Sequence, residues 1–84
     1  MINDILQERN ARYGHFDSEA CIAQAIKGMI NAHITSNNDV VREALDHIAT
    51  KLARIANGDP HYRDNWRDII GYCTLVLREL GDGE

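Results

Sequence analysis

The chain has 84 residues, a formal net charge of −4 at pH 7 and 44% hydrophobic residues. This length allows one domain with a small core, and such chains generally need very good helix packing, a metal, disulfides or a partner subunit. The negative charge disfavours general DNA or RNA binding, which needs cations to neutralise phosphates. Cys21 and Cys73 are too few for a disulfide framework and sit in apolar patterns, so we expect reduced core residues.

From the first residues of this sequence we expect no secretory signal. The first residues lack the basic region and the long apolar run of a secretory signal. The longest apolar stretches are far shorter than the roughly 20 residues that a membrane span needs. We therefore expect a cytoplasmic protein.

Apolar residues recur at helical spacing almost throughout, which predicts an all-α class. We expect a single domain over residues 1–84, a small bundle of three to four helices with a frayed tail at 81–84. The first helix begins at a cap residue, Asn3 or Asp4, and ends at about Tyr13, where Gly14 is typical of a helix C-terminus.

Three further helices follow. The second begins at Asp17 or Ser18, the third runs from about Val40 to Asn57, and the fourth runs from about Arg63 to Leu80, after a turn at Pro60. Each carries an apolar stripe predicted to be buried. The stripes are Cys21, Ile22, Ala25, Ile26, Met29, Ile30 and Ile34 of the second helix; Val41, Leu45, Ile48, Leu52 and Ile55 of the third; and Trp66, Ile69, Ile70, Cys73, Val76, Leu77 and Leu80 of the fourth.

The third helix carries a cationic strip beside its apolar stripe. Lys51 and Arg54 are three residues apart, and His47 precedes Lys51 by four. Such side chains often lie along apolar surface with their charges in water. Lys and Arg together also suit phosphate binding, so Lys51 and Arg54 are the candidate phosphate ligands.

The fourth helix carries two carboxylates four residues apart, Asp64 and Asp68, with Tyr72 four residues further on. Like charges at this spacing repel unless a cation lies between them. The cation is either Mg²⁺ or the basic pair of the third helix. A solvated face or a network of salt bridges between helices explains the same pattern.

Further candidates lie nearby. Glu43 and Asp46 of the third helix could add metal ligands, although acids are favoured near helix N-termini in any case. Tyr72 and Asn65 are candidate contacts to a base or sugar. His15, between the first two helices, contacts a ligand or completes the turn.

Several of these residues form characteristic runs. They are Tyr13-Gly14-His15-Phe16, Ala44-Leu45-Asp46, Lys51-Leu52-Ala53-Arg54-Ile55, Gly58-Asp59-Pro60 and Asp64-Asn65-Trp66-Arg67-Asp68-Ile69-Ile70-Gly71-Tyr72. On these runs nearly the whole chain resembles a small phage and prophage domain of unknown function, similar to the MazG-like all-α nucleoside triphosphate pyrophosphatases. The resemblance implies an oligomeric helical bundle, a dimer or tetramer, with a nucleotide site between helices and Mg²⁺ as cofactor.

The resemblance also implies a set of metal ligands. The enzymes hold Mg²⁺ with Glu-Glu-x-x-Glu on one helix and Glu-x-x-Asp on the next. Here the second helix offers only Asp17 and Glu19, while Glu43-x-x-Asp46 matches the second pattern by residue type. The candidate metal ligands are Asp46, Asp64, Asp68 and Glu43. The resemblance thus implies nucleotide binding and leaves Mg²⁺-dependent pyrophosphate hydrolysis open.

A second hypothesis is a non-catalytic phage protein that inhibits or sequesters a host defence or replication factor through protein–protein contacts. Its acidic surface would dock a basic partner, and the charges of the third and fourth helices would close into salt bridges. Under either hypothesis the second helix is apolar over much of its circumference. We therefore expect a homo-oligomer with a two-fold interface on the second and fourth helices.

Overall fold

Four α-helices make up the structure, a computed structural model that describes residues 1–81. Helix α1 is Ile2–Tyr13, α2 is Phe16–His33, α3 is Asp39–Asn57 and α4 is Arg63–Glu79. The described part of the chain contains no strand, which confirms the predicted all-α class. The predicted frayed tail falls mostly outside the described residues. No helix in the range 1–81 is both long and apolar enough to cross a membrane.

The helix ends follow local chemistry. The Asn38 side chain caps α3 by accepting hydrogen bonds from the backbone amides of Val40 and Val41. Gly14, with φ of 77°, ends α1 as predicted, because glycine adopts this left-handed backbone without steric cost. Helix α2 begins at Phe16, slightly before the predicted start, with His15 as its N-cap.

Helix α3 is the central element. It packs against α1, α2 and α4, and α1 also packs against α2. Helices α2 and α4, in contrast, have no pair of Cα atoms within 8 Å of each other. The two therefore flank α3 without closing a four-helix bundle around a common interior.

The core is built from alanines. Among the described residues, the buried hydrophobic ones are Ala23, Ala44, Ala49 and Ala53. These small side chains let α2 and α4 approach α3 closely, so the larger apolar side chains lie at the edges of the helix contacts.

The predicted buried stripes are therefore partly wrong. Residues predicted to be buried but exposed in the chain are Cys21, Ala25, Met29, Leu52, Trp66, Ile70, Cys73, Leu77 and Leu80. The other members of the stripes are half-buried. Cys21 and Cys73, predicted to be reduced core residues, are free thiols but are exposed. The reason is that, within residues 1–81, α4 packs against α3 alone and α2 packs against α3 and α1, so the remaining faces of α2 and α4 stay uncovered.

At one end of the fold, the junction between α1 and α2 is hydrogen-bonded to the junction between α3 and α4. The Asn57 side chain donates hydrogen bonds of 2.9 Å to the carbonyl oxygens of Tyr13 and His15. The Asp59 amide donates to the carbonyl of Arg12 at 2.8 Å. A Cβ at Gly58 would overlap the backbone of Arg12 and Tyr13, so glycine is required there for close approach. The Tyr-Gly-His and Gly-Asp-Pro runs of the sequence thus form these loop contacts.

Candidate functional site

A basic and an acidic candidate meet where α3 packs against α4. Lys51 Nζ lies 2.8 Å from Asp68 Oδ2. The Lys51 side chain is 14% exposed and that of Asp68 is 47% exposed. The lysine stem is thus covered by the helix contact while its ammonium group reaches the surface beside the carboxylate.

Two stacked rings lie beside this ion pair. His47 of α3 and Tyr72 of α4 have ring centroids 4.7 Å apart and planes only 3° from parallel. His47 Nε2 is 3.0 Å from a carboxylate oxygen of Glu43. Spacings of four residues on both helices place these groups in one row. We call the row the polar seam: Glu43, His47 and Lys51 of α3, with Asp68 and Tyr72 of α4.

Two open hollows border the polar seam, and Tyr72 lines both. The larger, of about 490 Å³, is also lined by Asp68, Gly71 and Arg78. The smaller, of about 310 Å³, is also lined by Glu43 and His47 and is mainly apolar. A Cβ at Gly71 would meet no atom within 4 Å, so the missing side chain leaves the larger hollow wide.

The other strong candidates lie elsewhere. Arg54 belongs to a different cluster, where its Nε is 3.5 Å from Glu19 and its guanidinium lies over the ring of Tyr13. Asp64 accepts a 2.9 Å hydrogen bond from the Tyr62 hydroxyl and lies 3.7 Å from Arg67. Lys51 and Arg54 therefore do not act as one phosphate-binding pair.

The remaining candidates are also apart from the seam's ion pair. Asp46 is half-buried, and its carbonyl accepts a hydrogen bond from Thr50. Asn65 is 1% exposed, too deep to contact a base. His15 is exposed, and its carbonyl accepts from Asn57, which agrees with the turn interpretation.

The four candidate metal ligands do not form one group. Glu43 faces His47, Asp64 faces Tyr62 and Arg67, and Asp68 faces Lys51. Across residues 1–81, no three His, Cys, Asp or Glu side chains are placed to hold a metal ion together. The side chains as arranged therefore do not fit a shared Mg²⁺ ion.

Sequence reasoning missed a buried charge cluster around Glu19. This carboxylate is 3% exposed and lies 3.5 Å from Arg54 Nε and 3.9 Å from Arg9. Among residues 1–81, neither its Oε1 atom nor Nδ2 of the buried Asn65 has a hydrogen-bond partner. One signal was present, because Glu19 shares the helical register of Ile22, Ala23 and Ile26 on the face of α2 that packs on α3.

Arginines over aromatic rings surround that cluster. Arg9 lies 5.2 Å from the ring centroid of Tyr13 and 5.4 Å from that of Phe16. Arg12 lies 5.0 Å from the ring of Tyr62, and Tyr62 meets Tyr13 edge-on. These cation–π contacts join α1 to the start of α2 and to the loop before α4.

The pKa of Tyr62, at the same end of the fold, is shifted from its ordinary value. The hydrogen bond that Tyr62 donates to Asp64 raises the pKa of the Tyr62 phenol above 10.0, since ionisation would break it. Burial adds to this increase, and the nearby Arg12 charge opposes it. Tyr62 and Asp64 thus form a local structural contact.

The fold and seam define a small all-helical protein with a polar surface row between two helices and an ion-paired, aromatic-rich end. The chain belongs to the family described as a domain of unknown function, DUF6378, whose model matches residues 2–79. No curated protein and no solved structure matches the chain.

Proposed function

We propose that this protein binds a nucleotide or a related phosphorylated ligand at the polar seam. The observation that carries the proposal is the ion pair of Lys51 with Asp68, since Asp68 lines the larger of two open hollows and Tyr72 lines both. The resemblance to the MazG-like proteins, drawn from sequence runs, supports the same class of ligand.

Lys51 is the group that would bind phosphate. Its stem is fixed by the α3–α4 contact, so little side-chain entropy is lost when the ammonium group is held by a ligand. A phosphate entering the larger hollow would share or replace Asp68 as its counter-ion. Arg78 lines the same hollow and replaces Arg54 as the second candidate cation.

Tyr72 is the group that would meet the base. Flat aromatic faces stack on nucleobases, and the parallel His47–Tyr72 pair is already arranged for stacking. The smaller hollow next to the pair has an apolar lining suited to a base edge. The phosphate and base ends of a ligand would thus lie on either side of Tyr72.

The proposal is one of binding. The acidic side chains lie with separate partners, so hydrolysis of a pyrophosphate bond stays a prediction from the resemblance and we assign it no catalytic residue.

Isothermal titration with common and cyclic nucleotides, with and without Mg²⁺, tests the proposal. We expect Lys51→Met to weaken binding about tenfold or more, because a hydrogen bond to a charged group contributes roughly 1.5–3 kcal/mol. Lys27→Met, on α2, is the matched control and should bind like wild type. An absence of heat with every nucleotide, for folded wild-type protein, would remove the proposal.

A second candidate function is binding to another protein, and the ion pair between Lys51 and Asp68 favours it. A non-catalytic protein that docks and sequesters a basic partner needs no open cation site, and the net charge of −4 suits such a partner. Titration with the partner recovered from host lysate would give a salt-dependent affinity under this function. Nucleotide binding lost in Lys51→Met would argue against it.

A further inference from the structure

An apolar groove runs along the α3–α4 pair, separate from the polar seam. It has a volume of about 330 Å³. Its lining includes Val41, Leu45 and Ile48 of α3 and Cys73, Val76 and Leu77 of α4. None of the residues that line it is charged.

The groove has the sequence pattern of a helix-packing seam. Val41, Leu45, Ile48 and Leu52 are spaced by four, three and four residues along α3. Trp66, Ile70, Cys73 and Leu77 repeat the same spacing along α4. Alternating steps of three and four place each set in one narrow stripe, as at the contact faces of helical bundles. Leu52, Trp66, Ile70 and Leu77 are all exposed in the single chain.

The single chain leaves too much apolar surface uncovered. Only alanines are buried hydrophobic residues in the described part of the chain. The accessible surface is 5996 Å². A folded monomer of this mass typically has about 5,000 Å². The excess of about 1,000 Å² is larger than the roughly 800 Å² that each partner buries in a standard interface.

We propose that two copies of this chain pack groove to groove across a two-fold axis. The α3–α4 pair of each copy then contributes two helices to an intermolecular four-helix bundle. A two-fold contact places the same patch on both sides, so like charges would meet if the patch were charged. The uncharged lining of the groove avoids that repulsion, which is why a second copy fits it.

This interface uses α4, as the sequence indicated, but pairs it with α3 rather than α2. It leaves the polar seam at the surface, because Asp68 and Tyr72 border other hollows. Dimerisation and ligand binding are therefore independent proposals, and failure of either leaves the other standing.

A matched pair of substitutions on α4 tests the interface. Leu77 lines the groove and is 45% exposed, while Leu75 lines the two hollows beside the polar seam and is 51% exposed. Light scattering on sized protein at micromolar concentration should give twice the chain mass of 9.5 kDa for wild type and Leu75→Lys. Leu77→Lys should weaken the dimer at least tenfold and appear monomeric. A monomeric wild type, or a Leu77→Lys dimer of unchanged affinity, overturns the proposal.

If Leu77→Lys does not fold, thiol labelling of the wild type tests whether the groove is the dimer interface. Cys73 lies in the groove, whereas Cys21 is exposed on α2 outside it. The labelling rate of Cys73 should fall as protein concentration rises through the dimerisation range, while that of Cys21 stays constant. A Cys73 rate independent of concentration, in protein whose measured mass is that of a dimer, would show that the copies meet elsewhere.

Discussion

Glu19 of α2 and Arg54 of α3 form a buried ion pair, with Oε2 of the carboxylate 3.5 Å from Nε of the guanidinium. The carboxylate is 3% exposed, and Arg9 is its other basic neighbour at 3.9 Å. The pair joins α2 to the central helix at the end of the fold where the two glycine loops meet. Removing one partner leaves a buried charge, which costs more than the pair itself contributes.

Arg54→Met should therefore destabilise the protein strongly. We expect the free energy of unfolding to fall by roughly 3 kcal/mol, because the buried Glu19 side chain is left with Arg9 alone as a basic neighbour. Arg67→Met is the control, since Arg67 forms an exposed pair with Asp64 and should change stability by less than about 0.5 kcal/mol. Urea unfolding at one protein concentration measures both variants.

The double variant Glu19→Leu/Arg54→Met tests whether the two charges stabilise the protein as a pair. It removes both charges and fills the site with apolar side chains, so it should be more stable than Arg54→Met alone. If the double variant loses as much stability as the sum of its single changes, the two residues do not act as a pair.

The Tyr62–Asp64 hydrogen bond predicts a pH effect in alkali. The folded pKa of Tyr62 lies above its ordinary value of 10.0. The bond therefore stabilises the fold fully below pH 10.0, and its contribution is lost as pH rises through the folded pKa. Ultraviolet titration should show a high-pH ionisation step that is lost in Tyr62→Phe.

Asp64→Ala should lower the pKa of Tyr62 toward the ordinary value for tyrosine, because the hydrogen-bond acceptor and its negative charge are gone. Asp59→Ala is a suitable control, since Asp59 caps the same turn through the His61 amide without touching the phenol. An unchanged titration in Asp64→Ala would contradict the assignment.

Replacing glycine by alanine should have opposite effects on the stability of the protein at two positions. Gly58→Ala places a methyl group inside the backbone of Arg12 and Tyr13, so we expect a loss of about 1–3 kcal/mol or a failure to fold. Gly28→Ala meets nothing within 4 Å in the middle of α2 and should stabilise the protein by roughly 0.5–1 kcal/mol. Thermal unfolding of the two variants gives the comparison, and similar behaviour would show that the loop contact is not tight.

Gly71→Ala separates stability from ligand binding. Gly71 lies inside α4, where glycine costs roughly 1 kcal/mol relative to alanine, and a Cβ there has open space. The variant should melt at a higher temperature while binding nucleotide more weakly, because the methyl group narrows the larger hollow. Gly28→Ala, equally open but on α2, should gain stability without losing affinity. Equal affinity in both variants would place the ligand outside that hollow.

Much of the local structure was predictable from the sequence. The ends of α1 and α3 were expected at Tyr13 and Asn57 and lie there, because a glycine follows each helix. A salt bridge between Lys51 and Asp68 was one of the alternatives that their positions on the two helices indicated. Both features depend on spacing within one helix or on one pair of neighbouring helices.

The rest of the site was not predictable in this way. Arg54 has the same spacing signals as Lys51, yet it turns to Glu19 and Tyr13 instead of the seam. Its direction depends on how α1 and α2 meet the far side of α3, and nothing in the sequence of α3 specifies that. The exposure of Trp66 and Cys73 was missed for the same reason, since an apolar stripe predicts that a face is covered but not by which element.

The sequence by itself determined an all-helical chain, the C-terminal ends of α1 and α3 and which residues share a helix face, because these depend on backbone chemistry within a few residues. The N-termini of α1 and α2 lie earlier than predicted, with Met1 and His15 as the N-caps. Only the tertiary structure decided which faces meet. The central position of α3, the alanine core, the burial of Glu19 and the uncovered groove all arise from packing between distant segments. Local patterns leave that choice open, since several helix arrangements satisfy the same spacing, and the closeness permitted by Ala44, Ala49 and Ala53 selects among them.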